Sequence, residues 1–167
     1  RIAELEAKSV GFMGIGVSGG EEGARHGASI MPGGKRSHYD RIESILQAVS
    51  AKVNGEPCVA YLGEGSAGHF VKMVHNGIEY AMMQLIAESY DLIKRDGRTN
   101  AEIAETFAKW NRGRLNSFLI EITSIVLRKT DPETGNSLVE MILDTARQKG
   151  TGKWTSQTAM DLGVPIP

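Results

Sequence analysis

Short apolar stretches bounded by glycine and proline dominate the first third of the chain. Three such stretches occur, over residues 10–17, 29–31 and 58–62. Apolar runs of this length that end at turn-forming residues are typical of buried strands. We expect Ser18-Gly19-Gly20 and Pro32-Gly33-Gly34 to end the first two strands. Between the second and third strands, apolar side chains at helical spacing predict a helix over residues 39–53.

Long helical periodicity replaces this pattern after about residue 63. Helices are predicted over residues 67–94, 100–110, 115–127, 138–149 and 154–162, with a polar loop at 130–136. We therefore predict a mainly α chain with a domain boundary near Gly63. Residues 1–63 would form a domain that carries the strands, and residues 64–167 would form an all-helical domain.

The longest predicted helix has a polar face and an apolar face. At about 100° per residue, the polar face carries Lys72, His75, Asn76 and Glu79. The apolar stripe, which we expect to be buried, consists of Phe70, Val74, Ile78, Ala81, Leu85 and Leu92. Lys72 and Glu79 lie roughly 10 Å apart along the helix axis, which suits a base and an acid that flank a small substrate. A solvated polar face without chemistry is the alternative.

Composition and charge exclude several functional classes. Hydrophobic residues make up 41% of the chain and charged residues 23%, which argues against a disordered tail or a membrane bundle. A formal net charge of -1 gives no basic field for nucleic acid or an anionic membrane. The single cysteine, Cys58, has no disulfide partner, and the sequence has no Cys/His cluster with zinc-ligand spacing. We therefore expect a cytoplasmic setting and no metal.

The glycine-rich segment after the first predicted strand formally matches the dinucleotide pattern G-x-G-x-x-G over residues 14–19. Glu21 and Glu22 follow at once, where a helix N-terminus would receive pyrophosphate, and the breaker at 32–34 leaves too little length for a crossover helix. The backbone N–H groups of this turn and the Ser18 hydroxyl instead suit a small anion such as a carboxylate. A purely structural turn is the alternative.

A second polar turn, Lys149-Gly150-Thr151-Gly152-Lys153, lies near the end of the sequence. Backbone N–H groups, a hydroxyl and ammonium groups converge in such a turn and suit a phosphate group. The turn is not a P-loop, because it lacks the G-K-[ST] ending and a preceding strand. A basic surface turn without a ligand is the alternative.

Four motifs together, in this order, resemble the 6-phosphogluconate dehydrogenase family. They are G-V-S-G-G-E-E-G-A-R at 16–25, M-P-G-G at 31–34, K-M-V-H-N-G-I-E-Y at 72–80 and Q-K-G-T-G-K-W at 148–154. The resemblance implies the last strands and helix of a Rossmann-type α/β coenzyme domain, followed by the first part of an all-helical domain. It also implies a homodimeric, NADP-dependent enzyme of the pentose phosphate pathway. Such an enzyme converts 6-phosphogluconate to ribulose 5-phosphate and CO2 without a metal, a nucleic acid or a membrane.

The resemblance also implies a role for each matching residue. Lys72 would take the proton from the C3 hydroxyl of the substrate, and Glu79 would protonate C1 of the enediol after CO2 leaves. The substrate-binding positions would be Ser18, Gly19 and Gly20 for the carboxylate end, His75 and Asn76 for hydroxyl or carboxylate groups, and Tyr80, Lys149 and Thr151 for the phosphate.

Members of the family are longer than this sequence at both ends, so the resemblance implies an internal fragment. The main NADP-binding residues would lie outside it, and we expect the 167-residue chain alone to be inactive. Two other interpretations stay open at this point. One is another β-hydroxyacid dehydrogenase that acts on a small unphosphorylated acid. The other is a non-catalytic remnant that serves dimerisation or scaffolding.

Overall fold

The computed structural model describes residues 1–147 and 150–166, which form two compact units. The first unit comprises residues 1–77 and 150–166, and the second comprises residues 78–147 of the described chain. The helices are α1 (Ile2–Glu6), α2 (Gly20–His26), α3 (Arg36–Val49), α4 (Ala67–Arg95), α5 (Asn100–Asn111), α6 (Phe118–Arg128), α7 (Leu138–Met141) and α8 (Thr151–Leu162). The strands are β1 (Met13–Ser18), β2 (Ser29–Gly34), β3 (Lys52–Val53) and β4 (Glu56–Pro57). The prediction of a mainly α chain is confirmed, and the domain boundary near Gly63 stays a prediction.

The first unit is built on an antiparallel pair of strands, β1 and β2, in which Met13 lies opposite Gly34 and Ser18 opposite Ser29. The third predicted strand, over residues 58–62, does not form as a regular strand. Its backbone runs parallel to β2 and bonds to it near both ends, where Ile30 N donates to Cys58 O (2.9 Å) and Leu62 N donates to Pro32 O (3.0 Å). The ladder is interrupted between these bonds because Pro32 has no N–H to donate.

The prediction that Pro32-Gly33-Gly34 ends the second strand is wrong, because β2 continues through all three residues. Pro32 is fully buried, opposite Ile15 of β1. A Cβ on Gly33 would lie 2.4 Å from the backbone nitrogen of Gly68 at the start of α4. The glycine at this position therefore serves the close approach of a helix, which sequence alone does not distinguish from a turn.

Several element boundaries differ from the predicted ones. Helix α3 ends at Val49 rather than at residue 53, because Asn54-Gly55 turns the chain into the β3–β4 hairpin with positive φ at both residues. Helix α2 follows the predicted turn at 18–20 and was not itself predicted, because Gly20 and Gly23 are poor helix formers. Helix α7 spans only residues 138–141 of the predicted 138–149, of which 148–149 lie outside the described residues.

The core of the second unit lies between α5 and α6 and consists of Ile103, Ala104, Phe107 and Leu127. The rings of Phe107 and Trp110 meet edge to face, with centroids 5.0 Å apart. A capping box at Thr99 begins α5, where the Thr99 side chain accepts from Glu102 N and the Glu102 carboxylate accepts from Thr99 N. The capping box and the buried apolar side chains thus agree with the helices predicted from periodicity.

The apolar stripe of α4, which we expected to be buried, is largely exposed. Leu85 and Leu92 are 64% and 69% exposed. The second half of α4 instead contacts the core through Ile86, Tyr90 and Ile93. At about 100° per residue Leu85 and Leu92 lie on one side of the helix, and these three side chains lie on another. Within the described part of the second unit, α5 and α6 pack on that side, and the stripe faces solvent.

A hydrogen-bond network joins α4, the start of α5 and α7 in the second unit. Its side chains are Tyr90, Lys94, Asn100, Ser137 and Glu140. Glu140 accepts from Lys94 Nζ at 2.8 Å and from Asn100 Nδ2 at 3.0 Å. The hydrogen bond from Lys94, followed by those from Asn100 and Tyr90, lowers the pKa of Glu140 to about 2. These contacts attach the short helix α7 to the two longer helices.

We predict that Glu140→Gln lowers the stability of the second unit at pH 7 and removes part of its dependence on pH. Because the pKa of Glu140 is lower in the folded chain, its ionised form contributes stability above about pH 4.5, and this is lost as the pH falls towards about 2. The urea midpoint should therefore be lower in the variant at pH 7, and the difference should shrink below pH 4.5. Trp110 fluorescence in a Trp154→Phe background reports this unit.

Glu133→Gln is the matched control, because Glu133 is an exposed carboxylate in the loop that precedes α7. Measurements belong at low ionic strength, since salt screens exposed ion pairs. A Glu140→Gln effect of the same size at pH 7 and pH 2.5 would contradict the assignment.

Candidate functional site

The first turns of α4 pack directly on the β1–β2 hairpin at positions where at least one of the two contacting residues is glycine. Gly68 is buried, and a Cβ there would lie 2.0 Å from Met31 O and 2.4 Å from Gly14 O. One turn further on, a Cβ on Gly16 would lie 2.5 Å from Lys72 Cβ. Backbone atoms and a Cβ cannot move aside as the end of a flexible side chain does, so both positions require glycine.

This packing accounts for the formal dinucleotide pattern at residues 14–19. Gly14 and Gly16 face α4, and the strand that carries them pairs antiparallel with β2, whereas the dinucleotide motif belongs to a parallel βαβ unit. The loop therefore does not fit the pyrophosphate of a dinucleotide, in agreement with the sequence expectation. The residues that would hold NADP are not identified among the described ones.

The packing also places Lys72 beside the glycine-rich loop. Lys72 is half-buried and lies against Gly16, two residues before Ser18 ends β1. After Ser18 the chain turns through Gly19 and Gly20, whose φ values of 148° and 57° favour glycine. Gly19 and Gly20 are exposed. The stem of the Lys72 side chain thus packs on the strand that leads into this exposed turn.

The motifs at 72–80 and 148–154 meet within the first unit. Asn76 Nδ2 donates to Thr151 Oγ1 at 3.2 Å, although 75 residues separate them. The side-chain oxygen of Asn76, Oδ1, lies 3.5 Å from Nδ1 of the exposed His75. Thr151 is the first residue of α8, which begins after Gly150 in a left-handed conformation. Two predicted substrate contacts are therefore neighbours in space.

The other predicted positions lie in the second unit or outside the described residues. Glu79, half-buried, and Tyr80, 42% exposed, lie further along α4 in the second unit. Lys149 lies outside the described residues. In the two described ranges, 1–147 and 150–166, no three His, Cys, Asp or Glu side chains cluster as a metal site. No helix in the same ranges is long and apolar enough to cross a membrane.

Comparison with known proteins decides the family. Residues 1–63 match the NAD binding domain of 6-phosphogluconate dehydrogenase, and residues 68–167 match the 6-phosphogluconate dehydrogenase C-terminal domain. The chain belongs to the 6-phosphogluconate dehydrogenase family. The predicted fold class, the end of a coenzyme domain followed by part of a helical domain, is thereby confirmed.

Individual relatives agree with this membership. The chain is 58% identical over 168 residues to the NADP(+)-dependent, decarboxylating 6-phosphogluconate dehydrogenase of Bacillus subtilis, covering all of this chain and 36% of that protein. The Plasmodium falciparum 6-phosphogluconate dehydrogenase, solved in its apo form, with NADP+ and with 6-phosphogluconate, matches with a TM-score of 0.94 and 54% identity. That match covers 99% of this chain and 36% of the other. The chain thus spans about a third of the length of these relatives.

A more distant match shows the fold alone. The 3-hydroxyisobutyrate dehydrogenase of Salmonella typhimurium is 20% identical, with a TM-score of 0.71 over 99% of this chain and 53% of its own. Members of the 6-phosphogluconate dehydrogenase family therefore share this architecture with dehydrogenases of other substrates, and substrate has to be argued from the site.

Sequence reasoning missed the residues that hold these motifs together. Gly68 and Gly77 are glycines inside a long helix, and Thr155 is 3% exposed on α8. The signal was present, because glycine weakens a helix interior and its occurrence there points to close packing. Which element packs there is not readable from the sequence.

We predict that Gly68→Ala strongly destabilises the first unit. Its Cβ would meet three backbone atoms at 2.0–2.8 Å, so α4 must move away from the hairpin. Overpacking of this kind costs roughly 3 kcal/mol or prevents folding, measurable by urea denaturation followed by circular dichroism. Gly113→Ala is the control, since the nearest atom to its Cβ is 3.7 Å away. Equal stability of the two variants would contradict the packing account.

Proposed function

We propose that this chain supplies substrate-binding and proton-transfer groups to an NADP-dependent 6-phosphogluconate dehydrogenase. The reaction is the oxidative decarboxylation of 6-phosphogluconate to ribulose 5-phosphate and CO2, a step of the pentose phosphate pathway. The observation that carries the proposal is the Asn76–Thr151 hydrogen bond, which joins the motif of α4 to the motif of α8. Identity of 58% to the Bacillus subtilis enzyme supports it.

Lys72 is proposed as the acid–base group of the oxidation. C3 loses its hydrogen as hydride while the C3 hydroxyl gives its proton to the Lys72 amine, and C3 becomes a ketone. NADP+ supplies the hydride acceptor. The ammonium group then polarises the ketone oxygen, which helps the C1–C2 bond to break and CO2 to leave. The electron pair of that bond remains in an enediol.

Glu79 is proposed to complete the reaction. Its carboxyl group would donate a proton to the enediol carbon that becomes C1 of ribulose 5-phosphate. Ser18, Gly19 and Gly20 would hold the substrate carboxylate through a hydroxyl and backbone N–H groups. The remaining substrate contacts are proposed for His75 and Asn76 at hydroxyl or carboxylate groups, and for Tyr80, Lys149 and Thr151 at the phosphate.

The working protein is proposed to be a cytoplasmic homodimer with its domain boundary near Gly63. The exposed stripe of α4 supports association, because Phe70, Ile78, Leu85 and Leu92 present apolar surface on one side of one helix. A non-catalytic scaffold is not favoured, because the Asn76–Thr151 contact joins two proposed substrate-binding residues and a scaffold would not need it.

The catalytic roles can be tested in a chimera in which this chain replaces the matching 168 residues of the Bacillus subtilis relative. The chimera should reduce NADP+ with 6-phosphogluconate and release CO2. Lys72→Met and Glu79→Gln should each lower kcat by about 100- to 10,000-fold, because each removes a positioned proton-transfer group.

Matched controls are Lys109→Met and Glu121→Gln, which alter exposed side chains on α5 and α6. They should leave kcat within about twofold, as surface substitutions do. A folded chimera that is inactive, or Lys72→Met activity equal to that of Lys109→Met, would contradict the proposal. Preference for an unphosphorylated hydroxy acid would favour another β-hydroxyacid dehydrogenase.

A further inference from the structure

Thr155 makes a close contact between α8 and α4 that none of the proposed catalytic roles uses. Its side chain is 3% exposed. The hydroxyl donates to Met73 O on α4 at 2.8 Å and lies 2.9 Å from Thr151 O in its own helix. A bond to the carbonyl four residues earlier is ordinary for threonine in a helix, whereas the bond to Met73 joins two helices.

The contact depends on a glycine in the facing helix. A Cβ on Gly77 would lie 2.4 Å from Thr155 Cγ2 and 2.8 Å from Thr155 Oγ1. Gly77 therefore makes room for both the methyl group and the hydroxyl of Thr155. Since glycine is unfavourable inside a helix, its presence here is explained by this approach.

The contact lies one helical turn from Thr151, the residue proposed to bind the substrate phosphate. Thr151 precedes Thr155 by four residues on α8, and Asn76 precedes Gly77 by one residue on α4. Thr151 Oγ1 accepts from Asn76 Nδ2, so its own hydroxyl proton can be given to a ligand oxygen. The orientation of this hydroxyl is set by how the first turn of α8 sits on α4.

We propose that Thr155 is a positioning residue that fixes the first turn of α8 on α4, and so holds the Thr151 hydroxyl beside Asn76 for a phosphorylated sugar acid. The inference rests on the proposed function for the identity of the ligand. The contact of Thr155 with Met73 and Gly77 is observed within the first unit and holds whatever the ligand is.

Three variants of the full chain separate the parts of the contact. Thr155→Val keeps the shape and removes the hydroxyl, whereas Thr155→Ser keeps the hydroxyl and removes the methyl group. Ser156→Ala is the matched control, because the exposed Ser156 hydroxyl bonds only to Gly152 O of its own helix among the hydrogen bonds of the described chain. Each variant is titrated calorimetrically with 6-phosphogluconate and with gluconate.

Thr155→Val should weaken 6-phosphogluconate binding about tenfold, the effect of one lost hydrogen bond on a positioned donor. Its gluconate affinity should stay within about twofold of the parent chain, because gluconate lacks the phosphate. Thr155→Ser and Ser156→Ala should bind both ligands like the parent. Equal loss for both ligands, or no rescue by serine, would overturn the proposal, since a general structural defect predicts those results.

Amide hydrogen exchange of α8 tests the contact without a ligand. Thr155→Val should accelerate exchange of the amides at residues 155–158, whereas Thr155→Ser and Ser156→Ala should not. Unchanged exchange in Thr155→Val would overturn the positioning role. If the parent chain binds neither ligand while exchange responds as expected, the proposed function fails and the positioning of α8 on α4 stands.

Discussion

The close approach of α4 to the β1–β2 hairpin is the constraint on which the first unit depends. A helix can lie this near to strand backbone only where its own residue carries no Cβ, and Gly68 meets Met31 O and Gly14 O at such a place. The same approach brings Lys72 against Gly16 and therefore beside the end of β1. The position of the proposed base thus follows from packing of backbone on backbone, which is far stiffer than contact between long side chains.

A second close approach at a glycine occurs where α8 packs on α4 in the first unit. Gly77 admits Thr155, and α8 is thereby held along the helix that carries Asn76. The Asn76–Thr151 hydrogen bond of the candidate site is less buried than the Thr155 contact beside it. The close contacts at Gly16, Gly68 and Gly77 hold the backbone of α4 and α8, and the backbone in turn positions the side chains of the candidate site.

Sequence reasoning was most successful where local rules and tertiary packing agree. Helices α4, α5 and α6 follow their periodicity, and α5 begins at a capping box that Thr99 and Glu102 specify. Sequence reasoning failed where one residue type is compatible with two structural roles. Glycine next to proline in β2 was interpreted as a breaker, although the close approach of α4 selects it. The apolar stripe of α4 was expected to be buried, but periodicity does not say which face a neighbouring helix covers.

The central proposal is that Ser18–Gly20, Asn76 and Thr151, which are distant in sequence, bind one substrate anion together. The most direct test is a titration of the ¹⁵N-labelled chain with 6-phosphogluconate, followed by nuclear magnetic resonance. The account predicts that the amides of Ser18–Gly20 and Thr151 and the Asn76 side-chain amide shift together with a single dissociation constant. Shifts confined to the second unit, or to one of these motifs alone, would contradict it.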